Sequence, residues 1–191
     1  MTPLFAAALR LQTLFEQRRW RFCIIGGIAL LRWGQPRFTR DVDVTLLTGF
    51  GNEDSFILPV LSAGYRGRIQ DAEAFARRNR VLLVESPEGV PIDIALGGLP
   101  FEERAIGRAS PFEFEPGCIL TCCSAEDLVV LKLFAFRPRD VADVESIAVR
   151  QRGRLDWTYI AEQLAPLAEL KDEPAILDKL ARLRNAPAPL P

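Results

Sequence analysis

The sequence predicts an α/β fold of the α+β kind, in which helices flank a mixed β-sheet and a helical part follows. Three observations predict it. Short apolar segments alternate with amphipathic helical segments up to about residue 120. Two strand-like segments surround a Ser-Pro-Glu-Gly turn, as in a hairpin. From about residue 121 onward, the pattern of apolar side chains is helical. We expect a sheet domain over residues 1–120, a helical part over residues 121–185 and a flexible tail over residues 186–191.

The first quarter of the chain predicts helix, strand, helix and strand. Residues 3–19 carry apolar side chains at helical spacing and Ala-rich filler, which predicts an amphipathic helix. Residues 20–25 are a short apolar strand, and a glycine pair then predicts a turn into a helix over residues 28–33. Residues 42–47 alternate apolar and polar side chains, so we expect a second strand there.

The next segments predict two helices and a hairpin. Residues 53–63 and 71–78 are the helices, separated by a Gly-Tyr-Arg-Gly break. Residues 81–85 and 90–96 are the two strands of the hairpin, which places Asp93 inside a strand between two isoleucines. A charge at such a position needs a physical reason, because burying an unpaired carboxylate is costly.

The last part of the chain predicts one more strand and then helices. Residues 101–109 form a helix or helical turn, and residues 112–123 contain a strand with a Pro-Gly break. Ser124 is a typical helix N-cap, and Asp127 stands where a capping box would have its acid. The helices that follow are expected over residues 124–136, 137–150, 157–167 and 174–183.

The composition excludes several classes of enzyme. The 191-residue chain contains no histidine, which removes Ser-His-Asp and Cys-His catalysis and zinc hydrolysis by HExxH motifs. Carboxylates must therefore carry any acid–base or metal chemistry. The net charge is −1, so the chain has no overall basic field that would attract nucleic acid.

The cysteines and the apolar segments predict a cytoplasmic protein. Cys23, Cys118, Cys122 and Cys123 contain no CxxC pair, so buried free thiols are expected rather than a zinc site or a disulfide framework. The N-terminus shows no charged region before an apolar run, as a signal peptide would. No apolar run has the length of a membrane span.

Three aspartates are the candidate site. Asp41 and Asp43 flank Val42, and because side chains alternate along a strand, both carboxylates point to the same face. Two neighbouring carboxylates repel each other, and a divalent cation such as Mg²⁺ between them relieves that repulsion. With Asp93 from a further strand, they would form the ligand set of a two-metal phosphoryl or nucleotidyl transfer site. The alternative is a solvated strand end with surface acids.

A glycine pair precedes these acids. Gly26 and Gly27 lie at a strand-to-helix junction, where the backbone can approach a phosphate and the helix N-terminus favours anions. The pair alone is also what an ordinary tight turn would contain.

These motifs resemble a known family. A glycine pair, thirteen residues, Asp-Val-Asp-Val and a later strand acid are similar to the polymerase-β-type nucleotidyltransferase superfamily. The run RFTRDVD at residues 37–43 is similar to the R-x-T/S-x-D-x-D motif of its AbiEii/MenT-like toxin branch. DLVVLKL at residues 127–133 and PRDVAD at residues 138–143 also resemble that branch. The resemblance covers about residues 20–150.

The resemblance implies a nucleotidyltransferase-type sheet and an enzyme that moves an NMP from an NTP to a hydroxyl acceptor. It implies two Mg²⁺ ions, with Mn²⁺ as the alternative, tRNA or protein as acceptor, and a cognate antitoxin. By motif position, the metal ligands and catalytic acids would be Asp41, Asp43 and Asp93, with Lys132 also catalytic. The nucleotide-binding residues would be Gly26, Gly27, Arg37, Thr39, Lys132 and Asp140.

Each of these roles has a structural alternative. Lys132 would otherwise carry its amine from a buried helix to water, and Asp140 would only complement a helix N-terminus. Arg37 would be an ordinary loop charge, and Thr39 would bond loop backbone. The cluster Arg77, Arg78 and Arg80 is either a solvated face or a contact for an RNA backbone.

Two other functions remain open. The same chemistry could act on a small molecule, as in aminoglycoside or lincosamide nucleotidyltransferases. An acidic acceptor cleft would favour a cationic drug, whereas an Arg-lined cleft would favour RNA. A non-catalytic binding module on the same fold is the third function, and the intact acids argue against it.

Overall fold

A computed structural model describes residues 1–185 of the chain. The flexible tail predicted over residues 186–191 lies outside the described residues. Within them the predicted α/β fold is confirmed: a seven-stranded mixed sheet is accompanied by helices and followed by a helical part. The chain divides into two compact units, one made of Met1–Ile28 and Phe38–Cys123, the other of Ala29–Arg37 and the residues from Ser124 onward. The domain boundary expected at residue 120 stays a prediction.

The helices and strands have the following bounds in chain order. The helices are α1 (Pro3–Gln17), α2 (Gly26–Trp33), α3 (Asp54–Ser62), α4 (Ala72–Asn79), α5 (Pro100–Gly107), α6 (Ala125–Ala135), α7 (Pro138–Arg150), α8 (Trp157–Lys171) and α9 (Ala175–Arg184). The strands are β1 (Phe22–Ile24), β2 (Val42–Leu47), β3 (Arg66–Gly67), β4 (Val81–Glu85), β5 (Pro91–Gly97), β6 (Ser110–Glu115) and β7 (Cys118–Cys122).

The sheet runs in the order β3-β4-β5-β2-β1-β7-β6. The pairs β2–β5 and β1–β7 are parallel, and the other neighbours are antiparallel. In β2 and β5 the side chains of Val42, Val44, Ile92 and Ile94 are fully buried. Because side chains alternate along a strand, the polar side chains between them are directed to the opposite face of the sheet. This alternation sets aside one face of β2 and β5 for the candidate site.

A buried glutamine side chain of helix α1 bonds the backbone of strand β7. The side-chain amide of Gln12 donates to the carbonyl of Ile119 at 3.1 Å, and its oxygen accepts from the backbone N–H of Thr121 at 2.9 Å. Strand β7 pairs with β1 only at the register Ile24↔Cys122, so Gln12 supplies backbone partners to β7 where a neighbouring strand would otherwise do so.

The second unit is built around α6. This helix begins at the N-cap Ser124, whose side chain accepts from the N–H of Asp127, as the sequence predicts. Leu128, Val130 and Leu133 are fully buried, and α6 packs against α7 and α8. The side chain of Asp127 also has hydroxyl partners. Its carboxylate accepts hydrogen bonds from the hydroxyls of Ser124 and Tyr159, both at 2.6 Å.

Some sequence predictions differ from the structure. The helix after the glycine pair starts at Gly26 itself, with φ of +60°, rather than at residue 28. The single strand expected over residues 112–123 is a hairpin, because Gly117 adopts φ of +78° and turns the chain. Strand β3 lies where only a break was expected, since two residues are too few to produce a sequence pattern.

The four cysteines are buried and free, as predicted. Among residues 1–185, no helix combines the length and the apolar character that crossing a membrane requires.

Candidate active site

The pairing of β2 with β5 brings two of the three candidate acids to adjacent positions. In this parallel pair Asp43 lies directly opposite Asp93. Residues opposite each other on neighbouring strands direct their side chains to the same face of the sheet. Asp41 precedes β2 by one residue, and its negative charge acts on the Asp93 carboxylate. The first unit therefore places all three acids in one region.

Two of these aspartates have neutral hydrogen-bond partners. The hydroxyl of Thr39 donates to Oδ1 of Asp41 at 2.8 Å. The backbone N–H of Gly27 donates a longer bond of 3.4 Å to Oδ2 of Asp43. The positive end of the α2 dipole thus faces a carboxylate, which stabilises its negative charge.

The glycine pair is required by the close approach of these acids and of their loop. A Cβ at position 26 would lie 1.9 Å from Oδ2 of Asp43, and one at position 27 would lie 2.3 Å from Oγ1 of Thr39. Both distances are far below van der Waals contact, so any side chain at either position would displace its neighbour. Glycine therefore lets the start of α2 and the acidic strand share one small space.

Asp93 has a charged partner. The guanidinium of Arg68 forms an ion pair with Oδ1 of Asp93. Burial raises the pKa of Asp93, the charge of Arg68 lowers it, and the negative charge of Asp41 raises it again, so that the pKa lies above its ordinary value. A cation beside Asp93 is what the electrostatics of this region requires.

These aspartates have the right donor chemistry for a hard divalent ion, although they are not gathered around one point. Within residues 1–185 no group of three or more Asp, Glu or Cys side chains is arranged so that it could hold a metal ion. Each carboxylate has a partner within the protein: Asp41 accepts from Thr39, Asp43 from the N–H of Gly27, and Asp93 from Arg68. Carboxylate oxygens are the ligands that Mg²⁺ prefers, and the raised pKa of Asp93 indicates that added positive charge would be favourable.

A second cluster of charges lies within the second unit. The amine of Lys132 is 3.0 Å from Oδ1 of Asp140 and 2.7 Å from Oδ2 of Asp143. Arg37 donates two bonds of 2.8 Å to the carboxylate of Asp143, and Arg137 donates to Oδ2 of Asp140 at 2.5 Å. Lys132 is only 6% exposed, so its amine does not extend to water as the structural alternative required. We call this cluster the lysine network.

The lysine network lowers the pKa values of both of its aspartates, Asp140 and Asp143. Burial raises the pKa of Asp140, but the hydrogen bonds and charges of Arg137 and Lys132 outweigh burial and leave that pKa below its ordinary value. Burial likewise raises the pKa of Asp143, and Arg37 with Lys132 brings it below the ordinary value. Both carboxylates are therefore held in the ionised form.

The structure thus divides the predicted site residues between the two units. Gly26, Gly27, Thr39 and the three aspartates belong to the first unit, and the remaining predicted residues Arg37, Lys132 and Asp140 belong to the second. Their roles in binding metal and nucleotide stay predictions.

Two further residues of these clusters were not predicted as site residues. The signal for Asp143 is its position three residues after Asp140 on one helix, which puts both acids on the same face. Arg68 reaches Asp93 from the other side of β4, and no local pattern predicts that.

The predicted basic cluster is largely engaged within the protein. Arg77 pairs with Asp54 at 2.7 Å and with Glu73 at 3.2 Å. Arg80 pairs with Glu53 at 2.5 Å and also donates to the backbone carbonyl of Gly49 at 2.7 Å. Arg77 and Arg80 therefore have partners within the protein, and a contact of this cluster with an RNA backbone stays a prediction.

Comparison with protein families gives one match that spans nearly the whole chain. The family described as "Nucleotidyl transferase AbiEii toxin, Type IV TA system" matches residues 11–188. No curated protein matches the sequence.

Solved structures with a similar fold also match the chain. The solution structure of the antibiotic-resistance factor ANT(2'')-Ia has a TM-score of 0.55 and 15% identity, and the match covers 91% of this chain and 94% of that one. An antigenic nucleotidyltransferase-like protein from Paracoccidioides brasiliensis has a TM-score of 0.54 and 15% identity, with 94% and 92% covered. At 15% identity, the structural similarity shows a shared fold alone.

The close approach at the glycine pair predicts a cost for a single methyl group. Gly27→Ala should lower the free energy of unfolding by about 1–3 kcal/mol, because the new Cβ must displace Thr39. Chemical denaturation measures this. Gly107→Ala is the matched control: apart from its chain neighbours and its own helix backbone, no atom lies within 4 Å of its added Cβ, so it should be neutral or slightly stabilising. Equal effects of the two substitutions would contradict the close contact.

The lysine network predicts a pH-dependent loss of stability. Lys132→Met should lower the free energy of unfolding by about 3 kcal/mol at pH 7, because two buried carboxylates lose a shared cation. The pKa values of Asp140 and Asp143 are lowered in the folded state, so their pairing stabilises the fold above the unfolded pKa of about 3.9. That stabilisation disappears as the pH falls through the folded pKa. Urea denaturation at pH 7 and pH 3 should show the difference between variant and wild type shrinking.

Lys179→Met is the control, since Lys179 pairs with the exposed Glu145 at 2.6 Å in the same unit. It should change stability by no more than about 0.5 kcal/mol. A loss for Lys132→Met that matches this control, or one that stays constant down to pH 3, would contradict the network.

Proposed function

Because the chain belongs to the AbiEii nucleotidyl transferase toxin family, we propose that it transfers an NMP from an NTP to a hydroxyl of tRNA or protein with the help of divalent metal. Family membership makes it a nucleotidyltransferase. The metal dependence, the acceptor and the toxin role are our proposal. The observation that carries it is the register of β2 and β5, which sets Asp43 opposite Asp93 beside the glycine-lined start of α2.

The residues of the first unit are suited to binding an NTP with its metal. Asp41, Asp43 and Asp93 would hold Mg²⁺ or Mn²⁺ through carboxylate oxygens. Mg²⁺ bound there would neutralise charge on the triphosphate and lower the pKa of the acceptor hydroxyl. The N-terminus of α2, at Gly26 and Gly27, has the backbone N–H groups and the dipole direction that favour a phosphate.

Asp93 is the proposed general base. Its pKa is raised by burial and by the charge of Asp41, and a carboxylate with a raised pKa accepts a proton more readily. In the transfer, the acceptor oxygen loses its proton to Asp93 and bonds to the α-phosphorus of the NTP. The bond from that phosphorus to the bridging oxygen breaks, and pyrophosphate leaves.

For the second unit, we propose that Lys132 contacts phosphate and that Asp140 positions it. The support is chemical: the amine is buried, cationic and fixed by two aspartates. Fixing a long flexible side chain lowers the entropy that it loses when it binds an anion. Arg37, which is bonded twice to Asp143, would be fixed near the nucleotide in the same way.

We propose that the enzyme is the toxin of a toxin–antitoxin pair, because the family as a whole is described as a Type IV toxin–antitoxin system. NMP transfer would inactivate the acceptor, and a cognate antitoxin would counter that effect.

One substitution tests the metal site directly. Asp43→Asn should reduce transfer of labelled NMP from α-labelled NTP by roughly a hundredfold or more, because a ligand to the metal is lost. The assay contains Mg²⁺ and, in separate arms, total RNA, lysate protein, and an aminoglycoside with a lincosamide. Thermal denaturation checks that the variant is folded.

Asp54→Asn is the matched control, since Asp54 is an exposed acid of the same unit that pairs with Arg77. It should retain activity within about twofold. Labelling of RNA or protein that needs Asp43 supports the proposal. If only a drug is labelled, the acceptor is a small molecule rather than RNA or protein. If a folded Asp43→Asn variant labels an acceptor as fast as wild type, the proposed metal site is wrong.

A further inference from the structure

Asp93, one of the three proposed metal ligands, has a cationic partner in Arg68. Asp41 accepts from a hydroxyl and Asp43 from a backbone N–H, both of which a metal ion can leave undisturbed. The guanidinium of Arg68, which has a full positive charge, forms an ion pair with an oxygen of Asp93. It therefore supplies the kind of charge that a divalent ion would supply.

The position of Arg68 is built by the sheet. Its backbone N–H donates to the carbonyl of Leu83 at 3.0 Å, and Leu83 lies opposite Asp93 in the β4–β5 pair. Arg68, Leu83, Asp93 and Asp43 thus form one row across the sheet. Strands lie about 4.8 Å apart, so Arg68 and Asp93 start roughly 10 Å apart, a distance that an arginine and an aspartate side chain together span.

The ion pair between Arg68 and Asp93 is partly exposed to solvent, so another cation can replace Arg68. The side chains of Arg68 and Asp93 are 29% and 37% exposed, so solvent reaches both and moderates their attraction. The backbone of Arg68 is fixed by its bond to Leu83, but the side chain can turn away without any change in the sheet. A divalent ion, with twice the charge, can displace it.

We propose that Arg68 is an internal counter-cation that competes with divalent metal for Asp93, so that metal binding and release of Arg68 from Asp93 occur together. The inference rests on the proposed function and deepens it. It makes Arg68 a positioning residue that acts through Asp93. It also means that Asp93 becomes able to serve as ligand and base only when the ion pair opens.

The test is a double-mutant cycle on metal binding, which needs no turnover. Binding of Mn²⁺ alone is measured by electron paramagnetic resonance in the full chain and in Arg68→Ala, Asp93→Asn and the double variant. Arg68→Ala should bind Mn²⁺ about three- to tenfold more tightly than wild type, which is the range expected for a partly exposed ion pair. In the Asp93→Asn background the same substitution should change the dissociation constant by less than about twofold.

Arg66→Ala is the control for loss of positive charge as such. Arg66 lies two residues earlier and pairs with Glu85 rather than with a site aspartate, so its removal should leave Mn²⁺ affinity nearly unchanged. Thermal denaturation of each variant checks the fold.

The possible outcomes distinguish the role of Arg68 from the proposed metal site on which it rests. Tighter binding in Arg68→Ala that disappears without Asp93 supports the inference. Equal tightening with and without Asp93 shows a general field effect and overturns it. If Asp43→Asn weakens Mn²⁺ binding while Arg68→Ala does not strengthen it, only the role of Arg68 fails. If neither wild type nor Arg68→Ala binds Mn²⁺, the proposed metal site fails and the inference fails with it.

Discussion

The parallel pairing of β2 with β5 is the constraint on which the candidate site depends. Its register sets Asp43 opposite Asp93. The pKa of Asp93 is raised mainly by burial and further by the negative charge of Asp41. The same register buries Val44 against Ile94 on the other face. A slip by one residue would turn the acids into the core and the aliphatic side chains toward solvent. The hydrophobic core therefore fixes the positions of the acids.

Gathering like charges has a cost, and both units offset it with specific partners. In the first unit, the start of α2 faces Asp43, a threonine hydroxyl bonds Asp41 and a guanidinium neutralises Asp93. In the second unit, Asp140 and Asp143 share the amine of Lys132 and each has an arginine. The first set leaves the pKa of Asp93 raised, whereas the second lowers the pKa values of both acids. A raised pKa suits a base, and lowered values suit fixed anions that hold a cation in place.

Local patterns in the sequence predicted what depends on alternation and helical spacing. These patterns gave strand β2 with its bounds, the β4–β5 hairpin with Asp93 inside it, and the cap at Ser124, all of which the structure has. Contacts between distant segments could not be predicted in this way. Arg68 meets Asp93 only because a two-residue edge strand pairs with β4, and Arg37 meets Asp143 across 106 positions of sequence. The lack of space for a side chain at Gly26 and Gly27 could not be predicted either, because the atoms that fill it belong to Asp43 and Thr39, which are distant in sequence.

The claim at the centre of this interpretation is that Asp41, Asp43 and Asp93 act together around divalent metal. The most direct measurement is anomalous diffraction from crystals grown with Mn²⁺ and a non-hydrolysable NTP analogue. We expect an anomalous peak bonded to carboxylate oxygens of these aspartates, with the analogue's phosphates beside it. A bound analogue with Mn²⁺ elsewhere, and with the three aspartates still on their present partners, would contradict it.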